Sequence, residues 1–319
     1  MENKTETKNN TKEENEEKKL LSPKLDVVFQ ALFGEIGSER ITKKFLEAIL
    51  ERKIEEVDLS GNIVLRRENV EDKMGVLDVI AKINNNEYAN IEMQVADKDN
   101  LLERILYYWA RVYTRNIKKG EDYIELKKTI EILIVDFEIK QLKKLGYHSK
   151  WKIIEEKDRK LILTDDLEIH IIEINKIKNL TEKEKNKELV KWIYFLEEPD
   201  GERVKEYMKS DSGIKEAKGK LETMSEDERM QILADLRLKA IMDEKAIKRL
   251  GYKEGLASGI KDGIKQGIKQ GIKQGIEQGI EQGENKKTTE IAKKMKSENI
   301  DIAIIKRITG LTEEEIEKL

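Results

Sequence analysis

Residues Val76 to Val95, VLDVIAKINNNEYANIEMQV, constrain the fold most narrowly, because two apolar, strand-like runs each carry an acid among residues that favour burial. A period of two in the second run sets Ile91, Met93 and Val95 on one face and Asn90, Glu92 and Gln94 on the other. One face builds a core, and the other offers ligands. Between the runs, Asn84-Asn85-Asn86 tolerates turn conformations, which predicts an antiparallel hairpin that brings Asp78 close to Glu92.

The flanking sequence predicts helices that cover a sheet. Ser22-Pro23-Lys24 reads as a helix start, with Ser22 as cap and Pro23 in the first turn, and Leu25, Val28, Phe29, Leu32 and Phe33 follow at helical spacing up to Gly34. A second amphipathic helix is expected over Glu39 to Arg52. After the hairpin, Asp99 to Lys118 reads as a helix with a buried stripe of Leu102, Ile105, Leu106, Trp109, Val112 and Tyr113. Thr129 to Phe137, TIEILIVDF, has the near-continuous apolar character of an interior strand. Another strand, Leu167 to Ile174, follows a basic, loop-like segment, and Thr181 to Leu196 reads as a closing helix. This order predicts an α/β domain with a mixed sheet flanked by helices.

The chain divides by composition. Residues 1–20 are polar and charged, and are expected to be disordered. Residues 21–200 form the expected domain, ending near Glu198-Pro199-Asp200-Gly201. Residues 201–254 read as a helical connector, with Met230, Leu233, Leu236, Leu238 and Ile241 as its apolar stripe. Residues 255–284 repeat GIKQ and its variants, with a glycine at every fourth position. Each mid-helix glycine costs about 1 kcal/mol relative to alanine, so eight would cost a lone helix roughly 8 kcal/mol. Such a helix needs a partner, and its glycine groove beside the ridge Ile264, Ile268, Ile272 and Ile276 points to a homo-oligomer. A four-residue period favours a right-handed supercoil. The alternative is a flexible spacer. Residues 285–319 read as a small helical unit whose acidic end, Glu313 to Glu317, would repel a phosphate backbone and so favours packing over DNA reading.

Lys+Arg 62 against Asp+Glu 65 gives net charge −3, so the whole-chain balance does not advertise nucleic-acid binding, although a local patch stays open. The absence of cysteine excludes disulfides, thiolate zinc sites and cysteine nucleophiles. There is no apolar run of membrane-spanning length and no signal-peptide core, which gives an expectation of a cytoplasmic protein without a membrane partner. No phosphate-cradling glycine loop follows a strand, which weakens an ATPase reading. His148 and His170 share no metal-ligand spacing, and His170 in LEIHIIEI reads as structural.

Asp78, Glu92 and the amide oxygen of Gln94 are hard donors that suit Mg2+ or Mn2+ better than zinc. A metal held this way activates water and neutralises charge on a scissile phosphate, so phosphodiester hydrolysis fits the equipment. On spacing alone, acids on an exposed strand face are common. The ordered blocks KLDVVFQALFG (24–34), FLEAIL (45–50), GVLDV (75–79), NIEMQ (90–94), RILYYWARVY (104–113), GEDY (120–123), IEILIVDF (130–137), LEIHIIEI (167–174) and WIYFL (192–196) add specificity. Together they resemble the recombination-promoting nuclease (Rpn) and transposase-like branch of the PD-(D/E)XK nucleases. The resemblance implies a restriction-endonuclease-like core over residues 21–200 and Mg2+-dependent cleavage of DNA, with Asp78 and Glu92 as metal ligands. Gln94 stands where most of the wider superfamily has lysine, as it does in the Rpn-like branch. Asp26 is a candidate additional acid, or else a helix N-terminal acid that complements the macrodipole. Arg104, Arg111 and Tyr108 are candidate DNA contacts, or else a pair of solvated arginines and a core tyrosine. A nuclease fold used only for interaction, assembling through the repeat, is the alternative, as is a DNA-binding factor that recombines only with other subunits.

Overall fold

The computed structural model describes residues 20–62, 78–84, 86–96 and 100–319. The expected disorder of residues 1–19, the chain before Asp78 and the helix start at Asp99 lie outside the described residues. Contacts divide the chain into two units, Met1–Met242 and Asp243–Leu319.

The first unit is built on a mixed six-stranded sheet in the order β1-β2-β3-β4-β6-β5. Its strands are β1 (Val57–Asp58), β2 (Val79–Ile83), β3 (Glu87–Gln94), β4 (Lys128–Val135), β5 (His148–Trp151) and β6 (Leu167–Glu173). β2 and β3 form the expected antiparallel hairpin, with Val79 opposite Ile91, and Asn84 takes a left-handed φ of 50° at the turn. β3, β4 and β6 run parallel, which is why Ile130, Ile132, Leu133, Ile134 and Val135 of β4 are all buried. β5, in the segment expected to be a loop, pairs antiparallel with β6 and ends the sheet.

One sheet face carries Ala81, Ile91, Ile132 and Ile172, packed under helices α1 (Asp26–Gly34) and α2 (Glu39–Leu50) and later helices. Phe33, Phe45 and Trp192 meet there with ring centroids 4.7 and 5.2 Å apart, tilted contacts that add to their area burial. A Cβ on Gly34 would lie 3.0 Å from Val79 Cγ2, so glycine lets α1 approach β2 closely. The other face, with Leu133, Val135, Ile169 and Ile171, packs against Leu101 and Ile105 of α3 (Leu101–Arg115).

Several boundaries differ from expectation. Pro23 shapes a turn, closed by the Leu25 N–H donating to Ser22 O at 3.1 Å, and α1 begins only at Asp26 with no side-chain cap. On α3, Leu106 is 54% exposed and Tyr108 is buried, because Leu101, Ile105, Tyr108 and Val112 make the tighter three-four stripe. The helix expected over 181–196 is two: α4 (Glu182–Lys185), with a Thr181–Glu184 capping box, and α5 (Glu188–Glu197). The Asn186 side chain donates to Glu182 O, competing with the helical ladder where α4 stops. The core also runs past Gly201. α6 (Glu202–Ser210) and α7 (Ser212–Glu226) contribute Val204, Tyr207, Ile214, Ala217 and Leu221 to it.

α8 (Glu228–Ser297) is a continuous helix that includes the glycine repeat. Ala234 and Ile241 are buried in the first unit, whereas Leu233, Leu236 and Leu238 of the expected stripe are exposed. In the second unit α9 (Ile302–Thr309), capped by Asp301, and α10 (Glu313–Glu317), with a Thr312–Glu315 capping box, pack Ile305 and Ile316 on Ala292. Gly310 takes the left-handed conformation (φ 73°) that closes α9.

Candidate active site

The hairpin register places Asp78 one step beyond Val79↔Ile91 and therefore beside Glu92 on the neighbouring strand. Alternation along β3 puts Asn90, Glu92 and Gln94 on that same face, and β4 adds Glu131 opposite Asn90. Four oxygen-bearing side chains and one further carboxyl are thus gathered beneath α3.

The acids are electrostatically unsettled. Burial pushes the Asp78 carboxyl well above the usual carboxylate range, and the neighbouring charges of Glu92 and Asp26 push it the same way, against the pull of Arg104. Glu131, fully buried, is likewise raised by burial and by Glu92 and Asp78, although Asn90 Nδ2 donates to its Oε1 and Oε2 at 2.9 and 3.1 Å. Arg104, reaching down from α3, donates to Glu92 Oε1 at 3.1 Å and lies 5.4 Å from the Tyr108 ring centroid. Arg104 thus brings a positive charge to the edge of a group of buried acids.

The amides show what kind of group would settle the cluster. Asn90 spends its N–H groups on Glu131, and Gln94 Nε2 donates to Ala96 O at 2.9 Å. Asn90 Oδ1 and Gln94 Oε1 are buried and accept no hydrogen bond. Two orphaned carbonyl oxygens that flank Glu92 on one strand face, beside two repelling carboxyls, form a donor set that fits an oxygen-seeking divalent cation. Among the described residues no three Asp, Glu, His or Cys side chains make a metal cage, so the amide oxygens are needed to complete one.

Asp26, at the first turn of α1, is close enough to raise Asp78, but its carboxylate sits in the fork of Arg237 from α8, whose Nε lies 2.7 Å from both oxygens. Arg111 stacks over Tyr107 with 5.8 Å between guanidinium and centroid, and Tyr108 is a buried residue whose hydroxyl meets Arg104 at 3.4 Å. Residues 23–250 match the family described as PD-(D/E)XK nuclease family transposase. The chain belongs to that family. No curated protein and no solved structure matches it.

Within this PD-(D/E)XK domain, residue-by-residue reading placed Asp78, Glu92 and Gln94 and assigned no role to Asn90, Glu131 or Arg237. Asn90 is on the polar face that alternation exposes, and Glu131 is an acid inside an otherwise apolar strand, so both carried a signal. Arg237 carried none, being 211 positions from Asp26. The six-stranded mixed sheet with flanking helices is consistent with the family's nuclease-like fold, which supports a nuclease-like function and implies DNA as its partner.

Proposed function

We propose that this member of the PD-(D/E)XK nuclease family transposases is a divalent-metal-dependent DNA endonuclease that hydrolyses phosphodiester bonds, with Mg2+, or Mn2+ in its place, held by Asp78 and Glu92. The observation that carries the reading is the pair of acids on adjacent strands flanked by two buried, unpartnered amide oxygens. Recombination is the role that the resemblance implies for such cleavage.

When bound, the metal supplies an activated water and neutralises charge developing on the scissile phosphate. Asp78 and Glu92 contribute carboxylate oxygens, and for Asp78 this means giving up the proton that burial favours. Gln94 Oε1 completes or orients the donor set, with Asn90 Oδ1 beside it. Gln94 is neutral and supplies no cation where the wider superfamily has lysine, so positive charge must come from elsewhere. Arg104, already at the acids and still linked to Tyr108, is placed to contact the phosphate, with Arg111 two turns further along the same helix. The test is nicking of supercoiled plasmid with Mg2+, Mn2+ or Ca2+ by wild type, Asp78→Ala and Glu92→Ala. Loss in both folded variants supports the site, and equal activity would place cleavage elsewhere.

The glycine repeat favours an added reading, self-association. Ile264, Ile268, Ile272 and Ile276 are 57–58% exposed along α8, and a Cβ on each repeat glycine would meet open space. A helix that leaves apolar ridge and glycine groove in water gains by pairing with a second copy. Size-exclusion chromatography with light scattering, on the full chain and on a chain ending at Gly251, tests this; an unchanged oligomeric state defeats it. Among the described residues no helix is long and apolar enough to cross a membrane.

A further inference from the structure

His148 and His170, unrelated by spacing in the sequence, meet on the sheet face opposite Asp78 and Glu92. His148 on β5 pairs with Ile172 in register, and His170 on β6 alternates with Ile169 and Ile171, which belong to the acid side. His148 Nε2 lies 2.8 Å from His170 Nδ1, and His170 Nε2 lies 2.8 Å from Glu168 Oε1. Glu168 also receives Lys128 at 2.9 Å and Lys150 at 2.6 Å. Burial alone would raise the Glu168 carboxyl, but these bonds hold it well below the usual carboxylate range.

The order of protons along this relay follows from the inventory of donors. An ionised Glu168 only accepts, so a neutral His170 donates to it from Nε2 and accepts at Nδ1. His148 then donates from Nε2 and is left with a lone pair on Nδ1, for which the described residues supply no partner. Burial, with His170 and Lys150 nearby, lowers the His148 imidazole to about 4, so it is neutral near pH 7.

His148 lines a cavity of about 580 Å³ between α2, β5 and α5, within the size range of small-ligand sites. Two lysines of that lining, Lys53 and Lys187, have no carboxylate within ion-pair distance among the described residues. The acids around them are mostly engaged. Glu47 accepts from Lys44 and the Ile54 N–H, Glu188 from Lys191, and Asp211 from the Gly213 and Ile214 N–H groups. Arg52 is paired with Glu87, which leaves Glu51 as the one lining acid without such a bond. The cavity therefore offers two cations, the acid of Glu51 and one fixed acceptor.

We propose that this cavity binds a protonated phosphate group, free or carried on a nucleoside monophosphate, with Lys53 and Lys187 donating to its oxygens and His148 Nδ1 accepting from its P–OH. The acceptor sets the specificity. Inorganic phosphate near neutral pH carries a proton to donate, and a phosphate monoester does so below its second pKa of about 6, whereas sulfate and carboxylates present only lone pairs to a lone pair. The site is independent of the nuclease reading.

Isothermal titration calorimetry on the full chain in EDTA, with inorganic phosphate, sulfate and 5′-AMP as probes, tests it. Phosphate is expected to bind at least about tenfold more tightly than sulfate, the equivalent of one well-placed hydrogen bond. His148→Gln, whose amide rotates to donate or accept, is expected to admit sulfate and erase that preference. Lys53→Ala with Lys187→Ala is expected to lose both anions. Tighter binding of 5′-AMP than of phosphate assigns the group to a nucleotide, and the reverse assigns it to the free anion. Equal binding of phosphate and sulfate by wild type overturns the proposal, as does no heat at millimolar phosphate. Binding kept in the double lysine variant but lost in Arg104→Ala also overturns it, by locating the anion on the other sheet face.

Discussion

Two polar clusters are buried in the same sheet, one on each face, and they differ in how completely they are satisfied. On one face Glu168 has its charge met by Lys128, Lys150 and His170, and the lysines reach solvent. On the other, Asp78 and Glu131 are pushed toward neutrality by burial and by neighbouring acids, Glu92 among them, while two amide oxygens accept nothing. The first cluster is balanced by the chain itself. In the second, burial and mutual repulsion of acids outweigh the charge that Arg104 brings to Glu92, and a protein that keeps such an imbalance in its core keeps it for a group that arrives from outside.

Substitution should separate the two. Removing a metal-binding acid is expected to have the largest effect, a loss of plasmid cleavage of at least about 10³-fold for Asp78→Ala or Glu92→Ala, since the several kcal/mol that a bound cation supplies go with it. Asp78→Ala is expected to leave the midpoint of urea unfolding in EDTA unchanged or higher, because it removes a repelling charge. On the balanced face the pattern should invert. Glu168→Gln strands Lys128 and His170 beside a neutral amide and is expected to cost about 2 kcal/mol in urea unfolding, the usual penalty for breaking a buried pair reduced for the exposure of its lysines. Cleavage per folded molecule should hardly change. If Glu168→Gln abolished cleavage at unchanged stability, the division of labour between the faces would be wrong.

Glu131 gives a smaller effect with a defined sign. Its folded pKa is raised, so the folded state holds a proton that the unfolded chain releases, and stability falls as pH rises from the ordinary carboxylate value to the raised one. Glu131→Gln mimics the protonated acid and still accepts from Asn90. It is expected to be within about 1 kcal/mol of wild type at acidic pH and more stable at alkaline pH. Denaturation midpoints across pH check this, and a wild-type profile as flat as the variant's would remove Glu131 from the imbalance. The slope should shrink rather than vanish, because Asp78 is shifted in the same direction.

The legible parts of this molecule are those in which one local pattern decides. Period-two alternation and an asparagine turn placed Asp78 beside Glu92 and set Gln94 on their face, because a hairpin's register follows from its turn. The capping boxes at Thr181 and Thr312 are equally local, each set by a threonine and the glutamate three residues on. What alternation could not reach was pairing across the sheet. His148 and His170 become neighbours only because β5 folds back antiparallel on β6, and Glu131 reaches Asn90 only through a parallel crossover. The core's continuation through α6 and α7 was hidden for a related reason. Their stripes are modest, and Val204, Ile214 and Leu221 are buried by what they meet rather than by their own periodicity.

The smallest expected effect concerns the longest of these contacts. Arg237 clamps Asp26 in a fork, and Asp26 is one of the charges that raise Asp78, so the guanidinium screens the acid cluster at one remove. With Arg237→Ala the cluster becomes more negative by one uncompensated charge. Cation affinity should then rise, by about threefold or less, since the charge is separated from the metal ligands by Asp26 itself and both partners reach solvent. Asp26→Asn should move the affinity the other way by a similar factor, because it removes the repulsion together with the need for the clamp. Mn2+ titration by calorimetry on both variants measures this without requiring turnover. If Arg237→Ala weakened Mn2+ binding and Asp26→Asn did the same, the fork would be holding α1 in place rather than balancing charge, and the imbalance would be confined to β2, β3 and β4.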